Sequence, residues 1–230
     1  MNYKTDPTTS ADMVFSSESA KEKLYDMISQ NQPFPCSGKN SLLLYGTYGS
    51  GKTTYAKVFL NDFEQYSGGT APSIEFIRCE KAESITSIIK MCNSIANSQC
   101  FYHASNCHYF IFDEIDNLTT DAQRALKSFM NRKNVVCVLT TNYLDKIDEG
   151  VKSRCELINF NATHASNYIW RLKKILVENH LPMVSANVMT KIVHNSNGNW
   201  RDIIPVLLRT ANTINTGKSP VCANRLLKVI

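Results

Sequence analysis

The chain has 230 residues, with 25 Lys+Arg against 20 Asp+Glu and a formal net charge of +5. A hydrophobic fraction of 43% and a charged fraction of 20% exclude wholesale disorder, and the length can bury one large core or a core plus a small second unit. No apolar run approaches the roughly 18–20 residues of a membrane helix, and the first residues carry no signal-like apolar segment, so a cytoplasmic chain without membrane contact is expected (host-cell cytoplasm if the source is viral).

In chain order, residues 17–29 read as a helix, with Ala20, Leu24, Met27 and Ile28 near helical spacing. Residues 41–45 form a short apolar run stopped by glycine, hence a buried strand, and 53–63 follow as a helix. Residues 73–79 suit a strand and 84–95 a helix. The run 109–112 is a strand without a polar break, as expected when both faces are covered. A helix over 121–130, a strand over 135–140 and a last short strand over 157–160 complete an alternation that points to an α/β fold, a parallel sheet sandwiched by helices.

The remainder reads as all-helical. Thr163 is expected to cap a helix through His180, and a second starts at Pro182 and Ser185 and runs through His194. Asn199 or Trp200 opens a third, with Pro205 in its first turns, and Ser219-Pro220 opens a fourth. A division into a core over 1–160 and a helical lid over 161–230 follows. Charge divides at the same place: the first part holds 16 Lys+Arg and 18 Asp+Glu, the second 9 and 2. The basic second part suits either a solvated face or an acidic partner or nucleic acid.

The eight cysteines are scattered singly, and reduced thiols are the expectation. Cys100, His103, Cys107 and His108 are close enough in sequence to suggest a zinc site, but a paired C-x-x-C is missing and buried or surface thiols are the stronger reading.

The sharpest signal is Gly46-Thr47-Tyr48-Gly49-Ser50-Gly51-Lys52-Thr53, followed by Thr54. It matches the phosphate-binding loop G-x-x-x-x-G-K-[ST] between an expected strand and an expected helix. Glycines let successive N–H groups turn inward, and the helix N-terminus adds positive potential for an anion. Lys52 would reach the β- and γ-phosphates and the Thr53 hydroxyl would ligate Mg²⁺. Next, the strand 109–112 delivers Asp113 and Glu114 at its C-terminal end, where open α/β sheets place ligands. Asp113 suits a metal ligand, and Glu114 suits orientation and deprotonation of an attacking water. Asn142 ends a neighbouring strand and could bond that water or the γ-phosphate, or merely make an Asx turn. Arg154 is either ordinary surface or a guanidinium that completes a neighbouring subunit's site.

The order of Asp113-Glu-Ile-Asp116, Thr141-Asn142-Tyr143 and Ser153-Arg154-Cys155 closely resembles the AAA+ ATPases of the sliding-clamp loader group, the replication factor C small subunits and their relatives in large phages. In that family Ser-Arg-Cys carries an arginine acting in trans, which implies Arg154, and the sensor 1 asparagine maps to Asn142. Gly198-Asn-Trp-Arg201-Asp resembles the sensor 2 motif, implying Arg201, and Tyr3 and Val14 fall in segments resembling those that lie against the adenine. The resemblance implies ATP with Mg²⁺, ATP hydrolysis, and a homo- or hetero-oligomer of AAA+ subunits around DNA. It further implies loading of a sliding clamp, helicase or other replication or recombination protein. Three departures stand out: the sequence ends at Ile230 where the family continues into a helical collar, Arg78-Cys-Glu-Lys81 stands at the family's Asn-Ala-Ser-Asp, and Asn131 replaces an acidic residue. A collarless, ATP-dependent DNA-bound filament or adaptor that recruits a transposase, helicase or other effector is the alternative expectation. Lys81, Ser84, Thr86 and Lys90 are candidate DNA contacts by residue type alone. The stretch 79–87 has neither aromatic residue nor glycine, so a protein-threading pore loop is not expected.

Overall fold

Ser41–Tyr45 (β1), Ile74–Arg78 (β2), His108–Asp113 (β3), Val135–Thr141 (β4) and Cys155–Asn159 (β5) form one parallel sheet in the order β2-β3-β4-β1-β5. The computed structural model describes residues 3–35, 38–79 and 85–215, without the side chains of 85 and 86. The helices are Glu18–Ile28 (α1), Lys52–Tyr66 (α2), Ile85–Asn97 (α3), Thr120–Phe129 (α4), the single turn Glu149–Lys152 (α5), Ser166–Glu178 (α6), Ala186–Asn195 (α7) and Trp200–Asn215 (α8).

Successive strand residues point to opposite faces, and the core divides accordingly. Leu42 and Leu44 of β1 join Leu24, Met27, Phe59 and Phe63 of α1 and α2 on one face. Leu43 joins Cys92, Leu126 and Phe129 of α3 and α4 on the other. Strands β3 and β4 are buried along their whole length, which explains their lack of alternation. Each such aliphatic or aromatic side chain stabilises the fold by roughly 1.5–3 kcal/mol relative to exposure. A third cluster is internal to α6, α7 and α8, built on Leu172, Ile175, Met189, Ile192, Ile203 and Leu207.

Several elements differ from the expectation, each for a polar reason. β5 begins at Cys155 rather than Leu157, because the buried Glu156 is matched by Lys23 and by Lys39 at 3.2 Å. α2 runs three residues further than expected because the buried Glu64 is satisfied by the Ala104 N–H and the Tyr109 hydroxyl, both at 2.6 Å. Thr163 does not cap α6; its hydroxyl accepts from the Asn167 side chain at 3.0 Å, and the helix starts at Ser166. The Cys/His cluster is occupied by the backbone. His103 Nε2 accepts from the Ser73 N–H at 2.9 Å while Nδ1 lies 2.6 Å from the Cys107 carbonyl, and His108 Nε2 lies 3.0 Å from the Ser98 carbonyl. Burial pushes the Cys92 and Cys107 thiols up to about 11. Among the described residues no group of three or more His, Cys, Asp or Glu side chains could hold a metal. Lys90 is described and exposed. The helix expected from Ser219-Pro220, Cys36, Cys222, Lys81, Ser84 and the Thr86 side chain lie outside the described residues. Among the described residues no helix is long and apolar enough to cross a membrane.

Candidate functional site

The loop between β1 and α2 closes over its own lysine. Gly46 has φ +153°, and a Cβ there would sit 2.7 Å from the Phe160 carbonyl carbon, so no larger residue fits. Gly51, at φ +98°, serves as the N-cap of α2 and turns the first-turn N–H groups toward the loop. Lys52 is buried, and its Nζ donates to the carbonyls of Gly46 and Thr47 and to Asn142 Oδ1, all at 2.8 Å. Ser50 Oγ lies 3.5 Å from the same amine. Burial draws the Lys52 pKa down to about 8, against the raising influence of the Asp113 and Asp116 carboxylates.

The carboxylates come from the end of β3. The Thr53 hydroxyl donates to Asp113 Oδ1 at 2.7 Å, and the Thr140 hydroxyl donates to the same oxygen at 2.7 Å. Glu114 follows with φ 59° and ψ 50°, in the left-handed region, its N–H donating to Thr140 Oγ1 at 3.0 Å. Asp116 accepts from the Thr141 hydroxyl at 2.8 Å and the Asn142 N–H at 3.1 Å. The end of β4 is therefore stapled to the carboxylate loop, which holds Asn142 over Lys52.

Lys52, Glu114, Thr140 and Asn142 line one cleft with Tyr48, Gly49, Gly51, Thr53, Thr54, Trp200 and Arg201, and Asp113 is bonded to two of its lining residues, Thr53 and Thr140. Arg201 is exposed and reaches the cleft from the first turn of α8. That helix is tied to the phosphate loop directly, because the Trp200 N–H donates to the Gly49 carbonyl at 2.9 Å. At the mouth, the hydroxyls of Tyr48 and Tyr143 are 3.2 Å apart, and Lys146 lies 4.0 Å above the Tyr143 ring.

Beside this cleft, sharing Gly51, Thr54 and Trp200 with it, lies a second, more apolar cavity walled by Thr5, Asp6, Pro7, Met13, Val14 and Ile204. Val14 is thus placed on its wall. Tyr3 is not: its hydroxyl accepts from the Asn212 side chain of α8 at 2.9 Å, and residues 5–7 and 13 form the wall instead. The N-terminal segment is pinned to α6 because Asp12 is buried against Arg171, at 3.3 Å, and Lys174. Burial would raise the Asp12 carboxyl, but Lys174, the Thr8 N–H and Arg171 together hold it at about 2.

Arg154 is apart from everything above. Cys155 pairs with Ser41 and Asn159 with Tyr45, so Arg154 precedes the strand pair at one end and the phosphate loop leaves it at the other. Five residues of strand, roughly 15 Å, separate them. Its guanidinium donates to Asn131 Oδ1 at 2.7 Å and to the Gly150 carbonyl at 2.8 Å. The sequence reading missed Thr140, Asp116 and Trp200. A signal for Thr140 existed: hydroxyl residues close an otherwise apolar strand beside the one ending in Asp113.

Comparison with known proteins adds three findings. Residues 42–162 match the family described as ATPase family associated with various cellular activities (AAA). The chain is 29% identical to a replication factor C small subunit of Methanosphaera stadtmanae over 76% of this chain and 54% of that protein. It is 30% identical to replication factor C small subunit 2 of Pyrobaculum islandicum, over 89% of this chain and 61% of the relative, and 27% identical to replication factor C subunit 4 of Encephalitozoon cuniculi, over 76% and 55%. The chain thus spans a little over half the length of these relatives.

Proposed function

Because the chain belongs to the AAA family of ATPases, we propose that it binds ATP with Mg²⁺ in the cleft and hydrolyses it as one subunit of a homo- or hetero-oligomer. In this reading the oligomer encircles DNA and loads a sliding clamp or helicase, a replication task in keeping with relatives named as replication factor C small subunits. Residues 1–160 act as the nucleotide-binding core and 161–230 as the lid. The observation that carries the reading is the convergence of Lys52, Thr53, Glu114 and Asn142 on one cleft, with Asp113 bonded to Thr53, beside a cavity walled in part by Val14.

Each residue then has a role that its geometry supports. The N–H groups of residues 48–54 and the Lys52 ammonium bind the phosphates, those of Gly46 and Thr47 being taken by the Thr141 carbonyl and Asn161 Oδ1, and Lys52 exchanges its carbonyl partners for phosphate oxygens. Thr53 and Asp113 offer hard oxygen donors side by side, which fits Mg²⁺, a cation that takes one or two protein oxygens plus phosphates and waters. Mg²⁺ bound there would neutralise charge developing on the phosphates. Glu114 orients the attacking water and takes its proton, while Asn142 and Arg201 contact the γ-phosphate. Val14 and its neighbours hold the adenine. Arg154, too far from its own cleft, stabilises the departing phosphates in the next subunit's. Phe101 and Tyr102, 81% and 92% exposed in the loop before β3, supply apolar area for a partner protein on the Arg154 end of the sheet.

The direct test is Glu114→Gln, assayed for nucleotide affinity and turnover separately. Affinity within about threefold of the parent, with turnover down by roughly a hundredfold or more, is expected. Undiminished turnover would remove Glu114 from the chemistry.

A further inference from the structure

We propose that Thr140 is the positioning residue of the hydrolytic site, its single hydroxyl setting both Asp113 and Glu114. The inference rests on the reading of the cleft given above and extends it to a residue on the cleft's wall whose hydroxyl is engaged by Asp113 and Glu114.

Thr140 is buried at the end of β4, level with the last residue of β3, since Phe112 pairs with Leu139. Its hydroxyl has one proton and two lone pairs, and the surroundings direct them. The proton goes to Asp113 Oδ1 at 2.7 Å, and a lone pair receives the Glu114 N–H at 3.0 Å. That second bond falls on a residue whose backbone is in the left-handed region, which side chains bulkier than Asn or Asp rarely adopt. The carbonyl of Glu114 is held as well, accepting the Asn117 N–H at 3.0 Å, but this bond continues the turn rather than joining it to the sheet. The same peptide is held on its other side by the Cys79 N–H, which donates to the Asp113 carbonyl at 2.9 Å from the end of β2. Thr140 is thus the tie to β4 that bonds the strained residue's own N–H and helps fix the direction in which the Glu114 side chain leaves the backbone. At Asp113 it acts together with Thr53, whose hydroxyl reaches the same oxygen from the phosphate loop. Two donors on one carboxylate oxygen define its rotamer, and they couple it to both β4 and α2.

Valine is nearly isosteric with threonine, keeps the β-branched strand geometry and removes only the hydroxyl. Thr140→Val is expected to lower kcat by roughly tenfold to a hundredfold, the usual consequence of losing a group that orients an essential ligand or base. Affinity for a non-hydrolysable ATP analogue should change less than about threefold, because the phosphate loop and Lys52 do not depend on Thr140. Thr140→Ser should restore most of kcat, since it returns the hydroxyl while losing the methyl group. Thermal unfolding and analogue affinity provide the readouts that a purely structural role would move. If kcat is unchanged in Thr140→Val, or if kcat, analogue affinity and Tm fall together and Ser fails to rescue, the proposal is overturned. Glu114→Gln separates the two levels. Normal turnover in that variant removes the underlying reading of the cleft, whereas loss there with a wild-type Thr140→Val removes only the positioning role.

Discussion

Lys52 carries a measurable signature of its burial. Its pKa near 8 lies below the 10.5 of a free lysine, because the amine is withdrawn from water before any phosphate meets it. Triphosphate favours the charged form, so above pH 8 binding must take up a proton and affinity should fall, by up to about tenfold per pH unit. Below pH 8 Lys52 adds no pH dependence. The unliganded protein should respond in the opposite direction: between pH 8 and 10.5 the unfolded chain retains a proton that the folded one has lost, so stability rises with pH there. Titration calorimetry and thermal melts across pH 7.5–10, on the parent and on Lys52→Met, check both slopes. Persistence of either slope in the variant would assign it to another group. The same residue shows what a motif can and cannot say: the G-x-x-x-x-G-K-T spacing marks Lys52 as a phosphate ligand, yet its bond to Asn142 comes from a strand 90 positions away.

Between residue and molecule, the element that most repays a test is the N-terminal segment over 3–14. It has little regular structure, yet it walls the apolar cavity beside the cleft and is bound to α6 by Asp12 with Arg171 and Lys174, and by the exchange of two bonds between Lys4 and Asn179 at 2.7 and 2.8 Å. Asp12→Asn keeps the shape but leaves the buried Arg171 with only the half-exposed Glu178 carboxylate, at 3.9 Å, as counter-charge. A loss of roughly 2–3 kcal/mol of stability is expected, because a buried charge stripped of its nearer partner is under-compensated. Nucleotide affinity should weaken with it, while kcat at saturation stays close to the parent value. The sign with pH is that of a depressed carboxyl: the contribution is complete above about 3.8 and is lost as pH falls through 2. Chemical denaturation at pH 7 and pH 3 measures this, and an unchanged midpoint in Asp12→Asn would make the triad a surface ornament.

For the molecule as a whole, the decisive question is where Arg154 works. The parallel register puts it at the wrong end of β5 for its own cleft, so any catalytic contribution must come from an adjacent copy. Arg154→Ala and Glu114→Gln should each be inactive alone, but mixing them should recover part of the turnover. In a mixed oligomer some seams join an intact Glu114 cleft to an intact Arg154. Mixtures that stay as inactive as their components would place the shared site in doubt. The same experiment bears on how the chain assembles, since recovery requires contact between copies through the ends of their sheets.

How much of this was legible before folding differs by region. Apolar runs flanked by turns marked all five strands to within two residues, most directly β3 and β4, where burial on both faces demands uninterrupted hydrophobic sequence whatever the partner. Boundaries failed where a charged residue was buried with a matched partner, as at Glu156 and Glu64, since the sequence shows the charge and not its distant neutraliser. Tyr3 lies beside Asn212 rather than on the wall of the apolar cavity, a contact between residues 209 positions apart that no local pattern encodes.

What the amino-acid order determined by itself was the class of chemistry: a phosphate loop, a carboxylate pair at a strand end, and the layering of an α/β sheet. Each depends on spacing along one or two elements, and spacing is a local property. Only the tertiary structure decided that Thr140 joins Asp113 to Glu114, that Trp200 ties α8 to the loop at Gly49, and that Arg154 sits at the end of the sheet opposite its own cleft. Those facts depend on strand order and register, and these are set by how the whole chain packs.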